Sequence, residues 1–178
     1  MKIEETTIEG LKLIRLNRFE DIRGSFVKPF NAEFFESNSL ETNLRECYFS
    51  LSHSNVIRGM HFQLPPFEHT KLVFVNNGSI LDVVLDIRKD SKTFGKYFSV
   101  QITEDDPILV YIPIGCAHGF LSLENSTIVS YMQTTVYKKD CDVGIHYDSF
   151  GMDWKVRNPI ISDRDKSFVN FTDFISPF

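Results

Sequence analysis

The sequence predicts an all-β protein, either a sandwich or a barrel, and three observations lead to this prediction. Apolar and polar residues alternate over short segments, which is the pattern of a half-buried strand. Turns rich in glycine, proline and asparagine separate these segments at the spacing typical of sandwiches and barrels. Helical periodicity is scarce. Because no repeat, linker or low-complexity tract divides the 178 residues, we expect one domain over residues 1–178.

In chain order, the alternation predicts the strands Leu11–Leu16, Tyr48–Ser52, Lys71–Val75, Ser79–Ile87, Tyr97–Ile102, Ile108–Ile112 and Ile128–Val136. Asn31 is a favourable N-cap residue and predicts one short helix over Ala32–Ser37, with Phe34 and Phe35 turned inward. After Trp154 the chain becomes polar and loop-like. It ends in short aromatic segments, which we expect to pack back on the body of the protein.

Asn76-Asn77-Gly78 follows a predicted strand and indicates a β-hairpin turn. The strand after it presents on one face Leu81, Val83, Leu85 and Ile87. Its other face presents Ile80, Asp82, Val84 and Asp86. Because this second face carries two carboxylates, we expect it to border a wet or functional space rather than solid core.

The composition excludes several classes of protein. The chain has 19 lysine and arginine residues against 24 aspartate and glutamate residues, a net charge of −5, which gives no basis for a nucleic-acid surface. No apolar run approaches the roughly 20 residues that a membrane-spanning helix needs, and the N-terminus lacks the apolar stretch of a signal peptide. Cys47, Cys116 and Cys141 form no CxxC pair, so we expect reduced thiols in a cytoplasmic protein.

Two of the five histidines lie in dense motifs. His61 lies in Arg58–Gln63, which reads Arg-Gly-Met-His-Phe-Gln, and His118 follows a Pro-x-Gly turn in Ile112–Phe120. The second motif places a histidine at the mouth of a small double-stranded barrel. From the residues alone, the two histidines are either metal ligands or polar groups that satisfy hydrogen bonds inside the barrel.

Several longer segments together resemble the dTDP-4-dehydrorhamnose 3,5-epimerase family of nucleotide-sugar epimerases. They keep the family's order from about residue 6 to residue 168: Phe19–Phe26, Ser50–Ser52, Arg58–Gln63, Lys71–Val73, Asp82–Arg88, Ile112–Phe120 and Ser162–Asp165. The resemblance implies a cupin-type double-stranded β-helix, or jelly roll, that works as a homodimer without a metal or other cofactor. Its substrate would be a nucleotide-diphospho 4-keto-6-deoxy sugar used in surface-glycan or related biosynthesis.

Inversion of a carbon next to a ketone needs a base on one face, an acid on the other, and stabilisation of the enolate between them. By the resemblance, His61 is the base, Asp165 orients its imidazole, and Tyr131 is the acid. Lys71 matches the cation beside the ketone oxygen. Without the resemblance, Tyr131 would be read as a core or interface residue and Lys71 as a surface charge.

The resemblance also assigns the substrate contacts. Arg23 and Arg58 match the contacts to the diphosphate, which suit guanidinium groups. His118 and Asp82 match residues of the sugar subsite, although Asp82 and Asp86 could instead be structural acceptors at strand ends. The remaining members of the predicted substrate-binding set are Phe26 and Tyr137, as aromatic contacts to the nucleotide, and Ser50 and Gln63.

The chain departs from the family pattern at positions assigned to the nucleobase. Glu46 and Tyr48 replace a glutamine and an asparagine, Lys28 replaces a glutamate, and His69 replaces a glutamine. A carboxylate such as Glu46 could accept hydrogen bonds from guanine. We therefore expect a base other than thymine, with GDP-linked sugars first and CDP-linked sugars second. In the simpler alternative, Lys28 and Glu46 pair with each other on the rim.

Other interpretations remain open. A metal-binding cupin offers His-x-His and then a glutamate, whereas this chain has His61-x-Gln63 followed by Glu68. An amide oxygen is a poor ligand for a borderline transition metal. Within the enzyme class, the protein could invert only C3 or only C5, or act on a heptose. In a different class, it would be a non-catalytic sugar-nucleotide binding module on the same fold.

Overall fold

Short strands dominate the computed structural model, which describes residues 1–178. They are β1 (Lys2–Glu5), β2 (Lys12–Arg15), β3 (Arg18–Asp21), β4 (Gly24–Val27), β5 (Glu46–Ser52), β6 (Ile57–Gln63), β7 (Lys71–Asn77), β8 (Ser79–Asp86), β9 (Tyr97–Thr103), β10 (Ile108–Ile112), β11 (Cys116–Ser122), β12 (Thr127–Gln133) and β13 (Asp142–Gly144). One antiparallel sheet has the order β1-β2-β10-β7-β12-β5, and a second has the order β13-β6-β11-β8-β9. β3 pairs only with β4. The predicted all-β fold is confirmed.

The main apolar core lies between the two sheets, where Val73 of β7 and Phe120 of β11 belong to one cluster of buried residues. A second cluster covers the outer face of the sheet that contains β8, and Phe171, Phe174 and Phe178 pack against it. The predicted packing of the C-terminal aromatic segments on the body is therefore confirmed. These segments complete the burial of a sheet that would otherwise expose an apolar face.

Two short helices and one 3₁₀ turn interrupt the strands: α1 (Ala32–Ser37), α2 (Asp163–Lys166) and Phe171–Asp173. The predicted helix α1 is confirmed with its cap, because the Asn31 side chain accepts a hydrogen bond of 2.9 Å from the backbone N–H of Phe34. Phe35 is fully buried over the outer face of the six-stranded sheet, and Phe34 packs beside it. No helix is both long and apolar enough to cross a membrane.

The predicted hairpin at Asn76-Asn77-Gly78 is wrong. β7 pairs with β10 and β12 in one sheet, whereas β8 pairs with β11 and β9 in the other. The turn therefore carries the chain from one sheet to the other. Gly78 has a φ of +81°, and a Cβ there would lie 2.5 Å from Thr127 Oγ1, so glycine is required in this corner. The turn signal is local, but the pairing partner depends on the topology of the whole sheet.

The prediction for the second face of β8 is only partly correct. Ile80 and Val84 belong to the core between the sheets, so this face borders solid core over part of its length. Asp82 pairs with a histidine of the cavity described below. Asp86 is fully buried and accepts hydrogen bonds from Arg88 and from the hydroxyl groups of the following turn. It is therefore a structural acceptor, the alternative that the sequence left open.

Candidate active site

A cavity of about 390 Å³ opens between the two sheets, with β6 and β11 on one wall and β5, β7 and β12 on the wall facing it. Most of the sequence-predicted site residues line it: Glu46, Tyr48, Ser50, Arg58, His61, Gln63, Lys71, His118, Tyr131 and Tyr137. Asp82 and Asp165 pair with the two histidines. Arg23, Phe26 and Lys28 are not part of the lining.

His61 forms an ion-pair geometry with Asp165, as Nε2 lies 2.9 Å from Oδ1. The other carboxylate oxygen accepts the backbone N–H of Gly59 at 3.1 Å, and Ser162 caps the short helix that carries Asp165. Burial opposes ionisation of Asp165, but the hydrogen bonds from His61 and Gly59 outweigh it and lower the pKa of the carboxyl group. An ionised Asp165 holds the Nε2–H tautomer and leaves Nδ1 as the basic nitrogen.

A second histidine–carboxylate pair lies beside the first. His118 is directly opposite His61 in the register of β11 and β6, and its Nε2 lies 2.7 Å from Asp82 Oδ2. Both members are buried, and Asp82 Oδ1 has no hydrogen-bond partner. Burial lowers the pKa of His118, although the Asp82 carboxylate opposes the shift. Because burial makes His118 a weaker base, this histidine suits contact with a bound sugar better than proton abstraction.

Tyr131 projects into the cavity from β12, on the wall that faces His61. Its hydroxyl lies 3.2 Å from Ser50 Oγ, and its ring stacks on that of Tyr48 at a centroid separation of 4.8 Å. Burial is the main cause that raises the pKa of Tyr131 above its usual value. The group therefore stays protonated near neutral pH and is able to donate.

Lys71, the first residue of β7, is buried and lines the same cavity. Burial lowers the pKa of Lys71 to about 8, and the negative charges of Asp142 and Asp82 limit this shift. A desolvated ammonium is a strong electrostatic partner for negative charge that develops on a substrate oxygen. The surface-charge alternative for Lys71 is therefore wrong.

Glu46 is held within the chain. Its Oε2 accepts the backbone N–H of Tyr137 at 2.6 Å and the side-chain amide of Gln133 at 3.1 Å. Gln133 Oε1 in turn accepts the hydroxyl of Tyr48 at 3.3 Å. The expected alternative, a Lys28–Glu46 pair, is wrong, because Lys28 lies exposed beyond the end of the β3–β4 hairpin, and Glu46 finds its partners on β12 and in the segment that follows it.

Two other predicted contacts are partly engaged with the protein itself. The guanidinium of Arg58 donates to Ser52 Oγ at 3.0 Å and to the Leu51 carbonyl at 3.1 Å, which fixes it on the cavity wall. Gln63 donates to the Phe67 carbonyl at 2.8 Å, and its Oε1 accepts the Lys138 N–H at 2.7 Å. Arg58 has further N–H groups for a ligand, whereas the amide of Gln63 mainly joins two loops.

Arg23, Phe26 and Lys28 lie on or beside the β3–β4 hairpin and are exposed. Arg23 pairs with Asp21 on the same hairpin and does not reach the cavity of its own chain. Within one chain, Arg58 is the predicted diphosphate contact that lines the cavity. These three residues therefore lie outside the cavity of their own chain, and their assignment to the substrate stays a prediction.

The lining also includes His69, which the sequence analysis named only as a departure from the family pattern, and three residues that it did not name: Gln133, Asp142 and Arg164. Arg164 pairs with Asp142 at 2.6 Å beside the entrance. The sequence does contain a signal for Arg164, because this residue precedes Asp165 in the Ser162–Asp165 motif. Asp142 and Gln133 carry no local signal, because only the pairing of β13 with β6 and of β12 with β7 brings them to the cavity.

This geometry limits the chemistry. A histidine–aspartate pair on one wall and a tyrosine on the facing wall can remove a proton from one face of a substrate and return one to the other. A jelly roll that carries such a cavity is a cupin-type acid–base isomerase.

Comparison with known proteins identifies the family. The sequence model of the dTDP-4-dehydrorhamnose 3,5-epimerase family matches residues 5–173. The enzyme of that name from Methanothermobacter thermautotrophicus is 37% identical over 92% of this chain and 91% of its own length. The Bacillus anthracis structure, with TDP and PPi bound, superposes with a TM-score of 0.91, 34% identity and coverage of 95% and 98% of the two chains. The Legionella pneumophila structure, in complex with dTDP-4-keto-L-rhamnose, superposes with a TM-score of 0.92 and 30% identity. The match covers 98% of this chain and 94% of that chain. The chain belongs to the dTDP-4-dehydrorhamnose 3,5-epimerase family, which confirms the resemblance and the cupin fold.

Proposed function

We propose that the protein inverts C3, C5 or both carbons of a nucleotide-diphospho 4-keto-6-deoxy sugar. One observation carries the proposal: the His61–Asp165 pair and Tyr131 line facing walls of one cavity. The dTDP-sugar and TDP bound in the related Legionella and Bacillus structures support the same substrate class.

The residues fit the steps of such an epimerisation. Both C3–H and C5–H are acidic because each carbon adjoins the C4 ketone. His61 takes the proton, the electrons of the broken C–H bond move to the ketone oxygen, and the ammonium of Lys71 stabilises the resulting enolate. Tyr131 then donates a proton to the opposite face of the same carbon. The net charge of the sugar is unchanged, and solvent returns His61 and Tyr131 to their starting states.

We also propose a homodimer in which the β3–β4 hairpin of one copy completes the site of the other. Phe19, Ile22 and Phe26 expose large apolar surface on this hairpin, which pairs with no other strand. Such exposed apolar surface is typical of an interface. If the hairpin packs against a second copy, Arg23 would reach the diphosphate and Lys28 the nucleobase of a substrate bound in the cavity of that copy.

The remaining assignments concern the domain, the cofactor and the compartment. We propose one domain over residues 1–178, without a metal, in the cytoplasm. Gln63 stands where a metal-binding cupin has a histidine, and its oxygen already accepts a backbone N–H. We therefore expect activity to survive exhaustive chelation with EDTA. Loss of activity that a single divalent ion restores would contradict this.

The three free cysteines fit a reducing compartment.

The test is incubation with dTDP-, GDP- and CDP-linked 4-keto-6-deoxy sugars in deuterated water, followed by NMR. We expect deuterium at C3, C5 or both, together with inverted product, for at least one of these sugars. In Tyr131→Phe, deuterium incorporation is expected to persist while inversion falls, because removal and return of a proton on one face needs only His61. Binding without deuterium incorporation for every sugar would favour the non-catalytic module instead.

A further inference from the structure

Tyr48 and Tyr131 form the closest aromatic stack in the site. They are directly opposite each other in the register of β5 and β12, with ring centroids 4.8 Å apart and ring planes inclined by 17°. Tyr131 is 6% exposed, whereas Tyr48 is 40% exposed and lies at the edge of the sheet. One ring face of Tyr131 is therefore covered by a single side chain that could otherwise move into solvent.

Tyr48 is held in that position by its hydroxyl group. The hydroxyl donates to Gln133 Oε1 at 3.3 Å, and the amide nitrogen of Gln133 donates to Glu46 Oε2. The same carboxylate oxygen accepts the backbone N–H of Tyr137. Because Gln133 is buried and Glu46 is anchored at the rim, the Tyr48 ring has little freedom to leave the stack.

Tyr131 also belongs to the buried apolar cluster between the two sheets, which holds its ring on the core side. Its hydroxyl has one hydrogen-bond partner, Ser50, at 3.2 Å. The ring of His118 meets it edge-on at 6.4 Å between centroids. The core contacts hold the ring on one side, and the stacked ring of Tyr48 resists a tilt of the phenol toward the edge of the sheet.

We propose that Tyr48 is a positioning residue for Tyr131: its anchored ring keeps the phenol aimed across the cavity at the substrate carbon. The proposal rests on the proposed function, in which Tyr131 delivers the proton to the face opposite His61. It assigns to Tyr48 a role other than the direct substrate contact expected from the sequence. Displacement of a reacting group by about 1 Å is able to cost about a hundredfold in rate, so a loosened Tyr131 is expected to slow inversion.

The test is the ratio of inversion to deuterium incorporation, measured by NMR in deuterated water. Both rates depend on His61 and Lys71, so their ratio isolates delivery of the proton by Tyr131. We expect the ratio to fall by about tenfold or more in Tyr48→Ala and by a smaller factor in Tyr48→Phe, which keeps the stacked ring but loses the hydroxyl that anchors it. Tyr97→Ala is the matched control, because Tyr97 is 38% exposed on β9 of the other sheet.

A pH series adds a second readout. Water admitted beside Tyr131 in Tyr48→Ala should bring the alkaline fall of the ratio to lower pH, since burial raises the pKa of the phenol. An unchanged ratio in Tyr48→Ala would overturn the proposal, as would a raised KM with unchanged kcat, which would make Tyr48 a substrate contact. If Tyr48→Ala is not recovered folded, the same ratio and the same kinetic constants are measured in Tyr48→Asn. Absence of deuterium incorporation in the wild type would refute the proposed function itself, a distinct result.

Discussion

His61 and His118 are neighbours with the same kind of carboxylate partner, yet their surroundings differ. The His61 side chain is 28% exposed, whereas that of His118 is 4% exposed. Burial penalises the imidazolium form of His118 and lowers its pKa. A base must accept a proton and exchange it with solvent, so the more exposed histidine suits that role. The pair His118–Asp82 is better suited to contacts with the sugar.

Replacement of His61 tests this division. We expect His61→Ala to lower deuterium incorporation and inversion together by about two orders of magnitude, the usual contribution of a general base. His53→Ala is the control, because His53 is exposed and outside the cavity. Incorporation near the wild-type rate in His61→Ala would assign the base to another residue.

Lys71 couples activity and stability to pH. In the proposed mechanism the Lys71 ammonium stabilises the enolate, so its pKa of about 8 predicts that kcat/KM falls as pH rises above about 8. The folded-state pKa is below the unfolded value of 10.5, so the folded state binds its proton less tightly than the unfolded state. The stability cost is therefore present in full below about pH 8 and is relieved between about 8 and 10.5.

Lys71→Met should separate the two effects. We expect loss of activity by about two orders of magnitude and a gain in unfolding free energy at pH 7 of up to about 3 kcal/mol, which is the free energy of the pKa shift. Urea denaturation at pH 7 and pH 10 measures the gain, which should shrink at the higher pH. A less stable variant at pH 7 would show that packing of the lysine stem outweighs the buried charge.

At the scale of elements, the β3–β4 hairpin stands apart from both sheets. An isolated two-stranded hairpin is marginal in water unless it packs against something. In the proposed homodimer, the exposed phenylalanines and isoleucine of this hairpin pack against a second copy. The residues assigned to the diphosphate and the base, Arg23 and Lys28, would then act in the neighbouring subunit.

A mixing experiment tests the exchange of hairpins. Arg23→Ala should weaken binding of the nucleotide diphosphate, and His61→Ala should abolish turnover. If the hairpin acts in trans, a re-equilibrated equal mixture of the two variants should regain about a quarter of the wild-type sites, because half of the dimers are mixed and each has one intact site. No recovery, with dimers confirmed by light scattering, would mean that the hairpin serves its own chain.

Some elements are predicted by their own residues, and others are not. α1 was predicted with its bounds because its cap signal is local, and β10 because five apolar residues stand between turns. β3 and β4 are not predicted, because three of the four residues in each strand are exposed and the strands show no alternation of apolar and polar residues. The hairpin at Gly78 was mispredicted because β7 already has a partner on each edge. Neighbouring residues determine where a turn or a helix cap forms, whereas the pairing of a strand depends on strands far away in the sequence.

At the scale of the whole molecule, the site exists only in the folded chain. His61, Tyr131 and Asp165 lie on three elements far apart in sequence, and their meeting depends on the facing of two sheets. The alternation of apolar and polar residues predicts strands, but it does not predict that these three residues meet. Only the family motifs identify them as members of one site. Those motifs in turn placed Arg23, Phe26 and Lys28 in the site without indicating that their own chain would leave them outside it.

In the proposed homodimer, the nucleotide preference depends on residues from two copies of the chain. Glu46 is engaged by Tyr137 and Gln133, so a bidentate contact from its carboxylate to guanine would require those bonds to break. Lys28 offers a different basis for the preference. An ammonium donates to guanine O6 and N7, a contact worth about 1–3 kcal/mol, whereas the glutamate of the family pattern would accept from the N3–H of thymine.

We therefore predict that GDP binds tighter than dTDP, by about tenfold for each 1.4 kcal/mol of difference, with CDP second. Calorimetric titration of one preparation with dTDP, GDP, CDP and UDP measures the order. Lys28→Glu should reverse it, because a carboxylate next to guanine O6 repels an acceptor and leaves a buried polar group unpaired. Lys139→Glu, an exposed charge change of the same sign, should leave the order unchanged. Tightest binding of dTDP by the wild type would show that Lys28 does not read the base, whatever the role of the hairpin.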